Sequence, residues 1–409
     1  MNKKILSWCL FDFANSSYSA VIAAVIFPVY YANVIVGNET GLGDLWWGRA
    51  IALSMAVVAL TSPLLGGIAD YAKIRKRLLF LYTLLCVASV SSFYFLHKGM
   101  VMEGFALIVI ANIGMEGGLV FYNSFLPEIA EPAHQGRVSA WGFGVGYAGS
   151  VFSLLLALFL INKGLITGVW PMVALFFGIF SIPAFLSLPK DSRNGSRIHR
   201  AAMDGLRYTW KTLKKISANK EQRKFLGAYL IYEDGVNTVI VFSGIFAATT
   251  LKFNPEELIS MYLIVQMTAL IGAFLTARPT DYWGPKKVVL MSLCLWIIVS
   301  VAAFFVHDKG HFFIIACIAG LGLGTVQAAS RAFYTQFIPQ GQESEYFGVY
   351  SFVGKSSAVI GPLIFGFISS TFGSQRPAIL SVALFFIVGL IIIYTVKGGG
   401  PNVMKKQEV

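Results

Sequence analysis

The chain repeats itself. Phe121-Tyr122-Asn123-Ser124-Phe125-Leu126-Pro127 returns 212 residues later as Phe333-Tyr334-Thr335-Gln336-Phe337-Ile338-Pro339. Asp12-Phe13-Ala14-Asn15 returns as Asp234-Gly235-Val236-Asn237 after 222 residues, and Asp70 returns as Asp281 after 211. Three matches in the same order, at nearly one offset, divide the chain into two homologous halves. Whatever one half folds into, the other must fold into as well.

Each half is too apolar for water. Of the 409 residues, 56% are hydrophobic and only 13% are charged, where a soluble chain normally carries about 25% charge. Apolar runs fall at 8–36, 46–69, 78–96, 104–126, 138–161, 168–188, 224–250, 258–280, 287–306, 312–338, 346–371 and 376–396. Each is long enough for a spanning helix, and Pro28, Pro63, Pro183 and Pro362 inside them are kinks that neighbouring helices can accommodate. The expected fold is all-α and integral to the membrane, with twelve transmembrane helices in two pseudo-symmetric six-helix bundles. The expected divisions are 1–188, a basic linker at 189–223, and 224–409. Amphipathic spacing from Ala201 to Ile216 predicts a helix lying on the membrane surface within that linker. With the N-terminus inside, the inner segments hold 24 of the 32 Lys and Arg residues and the outer loops five. That asymmetry predicts both termini in the cytoplasm; the expected location is the cell (inner) membrane. The asymmetry also explains the net charge of +12 without nucleic acid. Duplicated bundles related by an axis along the bilayer normal are an architecture of secondary transporters.

Gly66-Gly67-Ile68-Ala69-Asp70-Tyr71-Ala72-Lys73-Ile74-Arg75-Lys76-Arg77 resembles the loop signature of the major facilitator superfamily. Lys73 departs from it where a glycine is usual. The second copy, Asp281-Tyr282-Trp283-Gly284-Pro285-Lys286-Lys287, keeps that glycine but has Ala277 four residues before the aspartate. The resemblance implies a charged inner gate built on Gly66, Asp70, Arg75, Asp281, Gly284 and Lys286. Physically, glycine lets helices approach closely, and an aspartate at the membrane edge can meet a base and a helix N-terminus. Trp8-Cys9-Leu10-Phe11-Asp12-Phe13-Ala14-Asn15-Ser16, the Tyr122–Pro127 segment, Gln327-Ala328-Ala329-Ser330-Arg331 and Gly354-Lys355-Ser356-Ser357-Ala358-Val359-Ile360-Gly361-Pro362 together look like the autophagy-related vacuole-effluxer family and its bacterial relatives. That resemblance spans nearly the whole chain. It implies the major facilitator fold, and the fungal members are associated with amino-acid efflux.

Six charges lie inside spans: Asp12, Glu116, Glu233, Asp234, Arg331 and Lys355. At about 1.5 Å per residue, they form a layer roughly 6 to 15 Å from the inner end. Charges at that depth are costly and normally face a cavity or each other. Four acids share the layer with two bases, which suits proton coupling. Asn15 extends a polar stripe after Asp12, and Asn237 does so after Asp234. With Asn123 and Gln327 these residues form the expected substrate or proton site. A carboxylate would meet Arg331 or Lys355, and an amino group Asp12, Glu116 or Asp234. Helix-to-helix pairing of the charges is the structural alternative.

The glycine pattern from Gly144 to Gly149 has no preceding strand, so it is read as helix packing and not as a dinucleotide site. No cofactor or metal is expected and no catalytic pair stands out, so the chain is read as a non-enzyme. The functional expectation is a monomeric, proton-coupled carrier for a small polar organic solute, possibly an amino acid, embedded in a lipid bilayer. A lipid or drug exporter of the same fold is the alternative, followed by a non-transporting membrane sensor.

Overall fold

A computed structural model describes residues 2–37, 42–192, 210–357, 360–372 and 374–397. They are helical, without strands among the described residues. The principal helices are α1 (Lys3–Ser17), α2 (Leu42–Ala72), α3 (Arg75–Ser92), α4 (Val101–Ser124), α5 (Gln135–Asn162), α6 (Val169–Ser187), α7 (Lys220–Thr249), α8 (Pro255–Tyr282), α9 (Pro285–Phe305), α10 (Lys309–Thr335), α11 (Glu343–Ser356), α12 (Ile360–Phe372) and α13 (Gln375–Thr395). Among the described residues ten helices are long and apolar enough to cross a membrane, or eleven when the bent first pair counts as one.

Two of the twelve expected spans are not simple helices. The first continues past α1 through π-helical stretches at Tyr18–Val25 and Tyr31–Val36, with a 42° bend between the Lys3–Val25 and Phe27–Val36 segments. Pro28 lies just past that bend; it has no N–H to offer the preceding turn, and its ring displaces the carbonyl four residues back. The eleventh expected run, 346–371, is divided between α11 and α12. Pro362 falls in the first turn of α12, where a missing N–H costs nothing.

The chain forms two compact units. One comprises Met1–Ile129, Val145–Thr209 and Gln340–Phe352, and the other Ala130–Gly144, Trp210–Pro339 and Val353–Val409. The start of α5 thus belongs with the second half of the sequence, and the start of α11 with the first. Within the first unit α1 packs on α6, α2 and α3 on α4, and α3 on α6. Within the second, α7 packs on α13, α8 and α9 on α10, and α9 on α13. The four pairings repeat one for one, as the duplicated sequence requires. Small residues make them possible. A Cβ on Gly114 of α4 would lie 2.7 Å from the Cys86 backbone nitrogen of α3, and one on Gly324 of α10 would overlap the Ala269 carbonyl of α8.

The duplicated aromatic segment has a packing role in both copies. Trp8 stacks on Tyr122 at 4.6 Å and donates to its carbonyl at 2.9 Å. In the second unit Phe225 stacks on Tyr334 at 5.7 Å. The expected surface helix is described only from residue 210. There residues 210–218 are helical, with Thr212 and Ile216 buried, Trp210 exposed, and the Lys214 ammonium 5.8 Å from the Trp210 ring. Ala201–Thr209 lie outside the described residues.

The turns after α2 and α8 are equivalent. Gly284 sits at φ 86° and Lys73, its counterpart, at φ 52°. A left-handed lysine costs about 1–2 kcal/mol, and glycine recovers that less about 0.5–1 kcal/mol of chain entropy. Lys73→Gly is therefore expected to raise stability by up to about 1 kcal/mol. Thermal unfolding in detergent measures it, and a lowered melting temperature would contradict this account of the turn.

Candidate functional site

The turn between α2 and α3 brings Asp70 beside Arg75, with Arg75 Nη2 3.1 Å from Asp70 Oδ1. The same Nη2 donates to Glu343 Oε2 at 2.8 Å, while Nη1 reaches Glu128 Oε2 and the Ser124 carbonyl, each at 3.1 Å. One planar guanidinium thus joins three carboxylates, a task its fixed fork suits. Asp70 Oδ2 accepts from the Glu345 backbone N–H at 2.9 Å. Glu345 is in the first turn of α11, so Asp70 is a carboxylate at a helix N-terminus, where the helix dipole favours it. Gly66 lies one turn earlier. A Cβ there would fall on the Ser344 carbonyl and within 2.9 Å of the Glu345 Cα. Gly66, Asp70 and Arg75 therefore come together as expected, on partners the sequence reading did not name: Glu128, Glu343 and Glu345.

The second copy builds the same device with different chemistry. Asp281 Oδ1 accepts from the Arg137 N–H at 2.9 Å, and Oδ2 pairs with Arg137 Nε at 3.0 Å. Arg137 is in the first turn of α5, the repeat mate of α11. Here the close approach is provided by Gly136 of α5, whose Cβ would lie 2.8 Å from Asp281 Oδ1. Ala277, where the first copy has Gly66, packs instead among Ala140 and Ala328. Two expected members of this gate serve elsewhere. Gly284 shapes the turn, and Lys286 Nζ donates to the Tyr394 and Val396 carbonyls at 2.8 and 2.6 Å. Lys76 does the same for the Leu188 carbonyl at 2.8 Å. The basic residue of each motif closes the C-terminal end of the last helix in its half.

The intramembrane polar residues divide between the units. In the first, Asp12 and Asn15 are buried on α1 and joined by an Asn15 Nδ2 hydrogen bond of 3.4 Å. Gly146 of α5 faces them, its Cβ position 3.4 Å from the Asp12 Cγ and 2.9 Å from Ser16 Oγ. Gly149 abuts the Phe13 backbone, so these glycines serve packing. Glu116 is half-buried on α4, one turn after Asn112, and Asn123 is half-buried at the end of that helix. Asn112 donates to Ser54 Oγ at 2.7 Å and accepts from the Tyr18 hydroxyl at 3.4 Å. This buried trio was not singled out from sequence.

In the second unit Glu233 accepts from Gln327 Nε2 at 3.4 Å, and Lys355 lies within electrostatic reach of Glu233. Asp234, 3% exposed, accepts from the Gly361 N–H in the first turn of α12 at 2.8 Å; its other oxygen has no hydrogen bond among the described residues. Asn237 Nδ2 donates to Ser357 Oγ at 3.2 Å. Arg331 is brought to α5: Nε donates to Ser139 Oγ at 2.9 Å and Nη2 to the Ser139 carbonyl at 2.7 Å. Among the described residues no group of three His, Cys, Asp or Glu side chains is arranged to hold a metal ion.

Known proteins agree with this architecture. An uncharacterized MFS-type transporter, YxiO of Bacillus subtilis, is 27% identical over 406 residues, covering 95% of this chain and 93% of its own length. Autophagy-related protein 22-1 of Penicillium rubens is 24% identical, covering 84% of this chain and 74% of its own. Among solved structures, the human organic anion transporter MFSD10 superposes with a TM-score of 0.76 at 13% identity, covering 96% of this chain and 98% of its own. The proton:xylose symporter XylE gives 0.73 at 13% identity, covering 97% and 96%. The fold is thus that of the major facilitator superfamily, whose members are transporters and not enzymes. The family model described as vacuole effluxer Atg22 like matches residues 49–399, and the chain belongs to that family.

Proposed function

We propose that this multi-pass membrane protein is a proton-coupled carrier for a small zwitterionic solute, with an amino acid as its cargo. It works as a monomer in the cell membrane, with both termini in the cytoplasm. The supporting observation is that each unit carries acids on its spanning helices: Asp12 buried and Glu116 half-buried on α1 and α4 in the first, Glu233 and Asp234 buried on α7 in the second, with Lys355 and Gln327 beside Glu233. Acids held out of water beside few bases can carry a proton through a conformational cycle. The cargo's amino group meets Asp12, Asn15 or Glu116, its carboxylate meets Lys355, and the amides of Asn123, Asn237 and Gln327 complete the site. Asp70 and Asp281, each holding the first turn of a helix, act as inner latches that part when access alternates.

Reconstituted protein given labelled amino acids, a phospholipid and a dye, with and without a pH gradient, tests this reading. Asp12→Asn, Glu116→Gln and Asp234→Asn should each lower gradient-driven amino-acid accumulation at least tenfold while exchange persists, because exchange needs no net proton movement. Full accumulation in all three would remove proton coupling. Transport of the phospholipid or dye alone would favour the exporter reading.

A further inference from the structure

We propose that Arg331 is a positioning residue of the transport cycle: it locks the first turns of α5 to α10 and must release Ser139 before that end of α5 can move. The inference rests on the alternating-access reading. Sequence alone casts Arg331 as a clamp for a cargo carboxylate, since its fork matches that group. The geometry points elsewhere. The side chain is 2% exposed, and two of its nitrogens are committed to one residue, Ser139, through the hydroxyl at 2.9 Å and the carbonyl at 2.7 Å. Its guanidinium carbon lies 4.1 Å from the centroid of the Phe143 ring, one turn further along α5. The Ser139 hydroxyl passes its own proton to the Ala328 carbonyl at 2.8 Å, one turn before Arg331 on α10. The lock therefore closes in both directions between the same two helices.

The Ser139 contact is informative because it is made to a helix carbonyl. Within α5 that oxygen already serves the helix's own ladder, so the guanidinium supplies a second bond that the helix does not need to exist. A cation spent this way fixes position. Two residues earlier, Asp281 holds the Arg137 N–H and side chain. The opening turns of α5 are thus held at three successive points, by Asp281, by Arg331 at Ser139, and by Arg331 over Phe143. Ala140 packs between them against Ala277 and Ala328, and a probe there senses whether the lock is shut.

The test needs no cargo. In full-length protein freed of its four native cysteines, Ala140→Cys is labelled with N-ethylmaleimide in liposomes, and Ala157→Cys, buried further along α5, is the control. Ser139→Ala, which removes only the hydroxyl contacts, and Arg331→Lys, which keeps the charge but loses the fork, should each raise the labelling rate at position 140 about tenfold and leave position 157 unchanged. Together they should raise it by less than the product of the two, because they break a shared contact. Phe143→Leu should give a smaller rise. Equal acceleration at 140 and 157 would mean general loosening and would overturn the proposal. So would an unchanged rate in both Ser139→Ala and Arg331→Lys, which would return Arg331 to the cargo-clamp role. Failure of the parent protein to transport amino acids, with the labelling at position 140 accelerated in both variants as expected, would instead count against the cargo reading and leave the lock standing.

Discussion

Arg75→Ala should cost about 3–5 kcal/mol, the range for removing one partner of a buried ion pair. The size follows from what is left behind. Asp70 has a side chain only 1% exposed and Glu343 one 9% exposed, and both lose the cation that offsets their desolvation. Glu128, at 45% exposed, is at the rim and contributes little. Removal of Arg75 therefore leaves two buried negative charges side by side at the start of α11, stabilised by neutral donors: the Glu345 N–H and the Ser344 side chain for Asp70, and the Gly341 N–H for Glu343. Labelling of Ser344→Cys, a fully buried position next to Glu345, should accelerate at least a hundredfold, and the melting temperature in detergent should fall. Arg75→Lys should fall between the two, because one ammonium cannot reach both Glu343 and the Glu128 side of the cluster. Glu128→Gln should stay within about 0.5 kcal/mol of the parent. Native labelling of Ser344→Cys in the Arg75→Ala protein would show that the cluster does not hold α11.

The sequence carried the frame of this site and not its closure. Repetition exposed two bundles, and each half does use the same four helix pairings. The motif named Asp70, Arg75 and Asp281 because their chemistry is local: Asp70 and Arg75 are five residues apart across one turn. Their partners are remote. Glu343 is 268 residues from Arg75, Glu345 is 275 from Asp70, and Arg137 is 144 from Asp281. One clue was present. Arg137 comes 10 residues after Pro127, and Glu343 and Glu345 come 4 and 6 after Pro339, so each repeated aromatic segment is followed closely by charge. The spacing and the sign of those charges differ between the copies, so the pattern did not pair them with the repeated aspartates. The two irregular spans were hidden for another reason. The prolines marked both runs as kinked, but hydropathy does not measure the size of a kink, so the 42° bend before Pro28 and the separation of α11 from α12 were not legible from the apolar runs. Lys286 shows the converse: a basic residue beside a gate aspartate donates to the carbonyls of Tyr394 and Val396 at the end of α13, where a helix leaves acceptors without an intrahelical donor.

Gly66→Val should disable the first latch while the corresponding relaxation in the second copy is mild. The two halves solve one problem with glycines on opposite helices. At the first latch the small residue is Gly66 on α2, and a Cβ would strike the backbone at Ser344 and Glu345. Backbone cannot rotate aside as a side chain can, so α11 must retreat. Overpacking of this kind costs about 1–3 kcal/mol, and the retreat also stretches the 2.9 Å bond from the Glu345 N–H to Asp70. A loss of about 3 kcal/mol and faster labelling of Ser344→Cys are expected. At the second latch the corresponding α8 residue is already Ala277, and the glycine is Gly136 on α5. Ala277→Gly should cost about 1 kcal/mol, the helix-propensity difference, without freeing α5. Gly136→Val should reproduce the Gly66→Val defect at Asp281, because its side chain would meet both Thr280 and that carboxylate. If Ala277→Gly proved as damaging as Gly136→Val, close approach at Gly136 would not be what seats Arg137 on Asp281. The exchange of small residues between α8 and α5 would then lose its explanation.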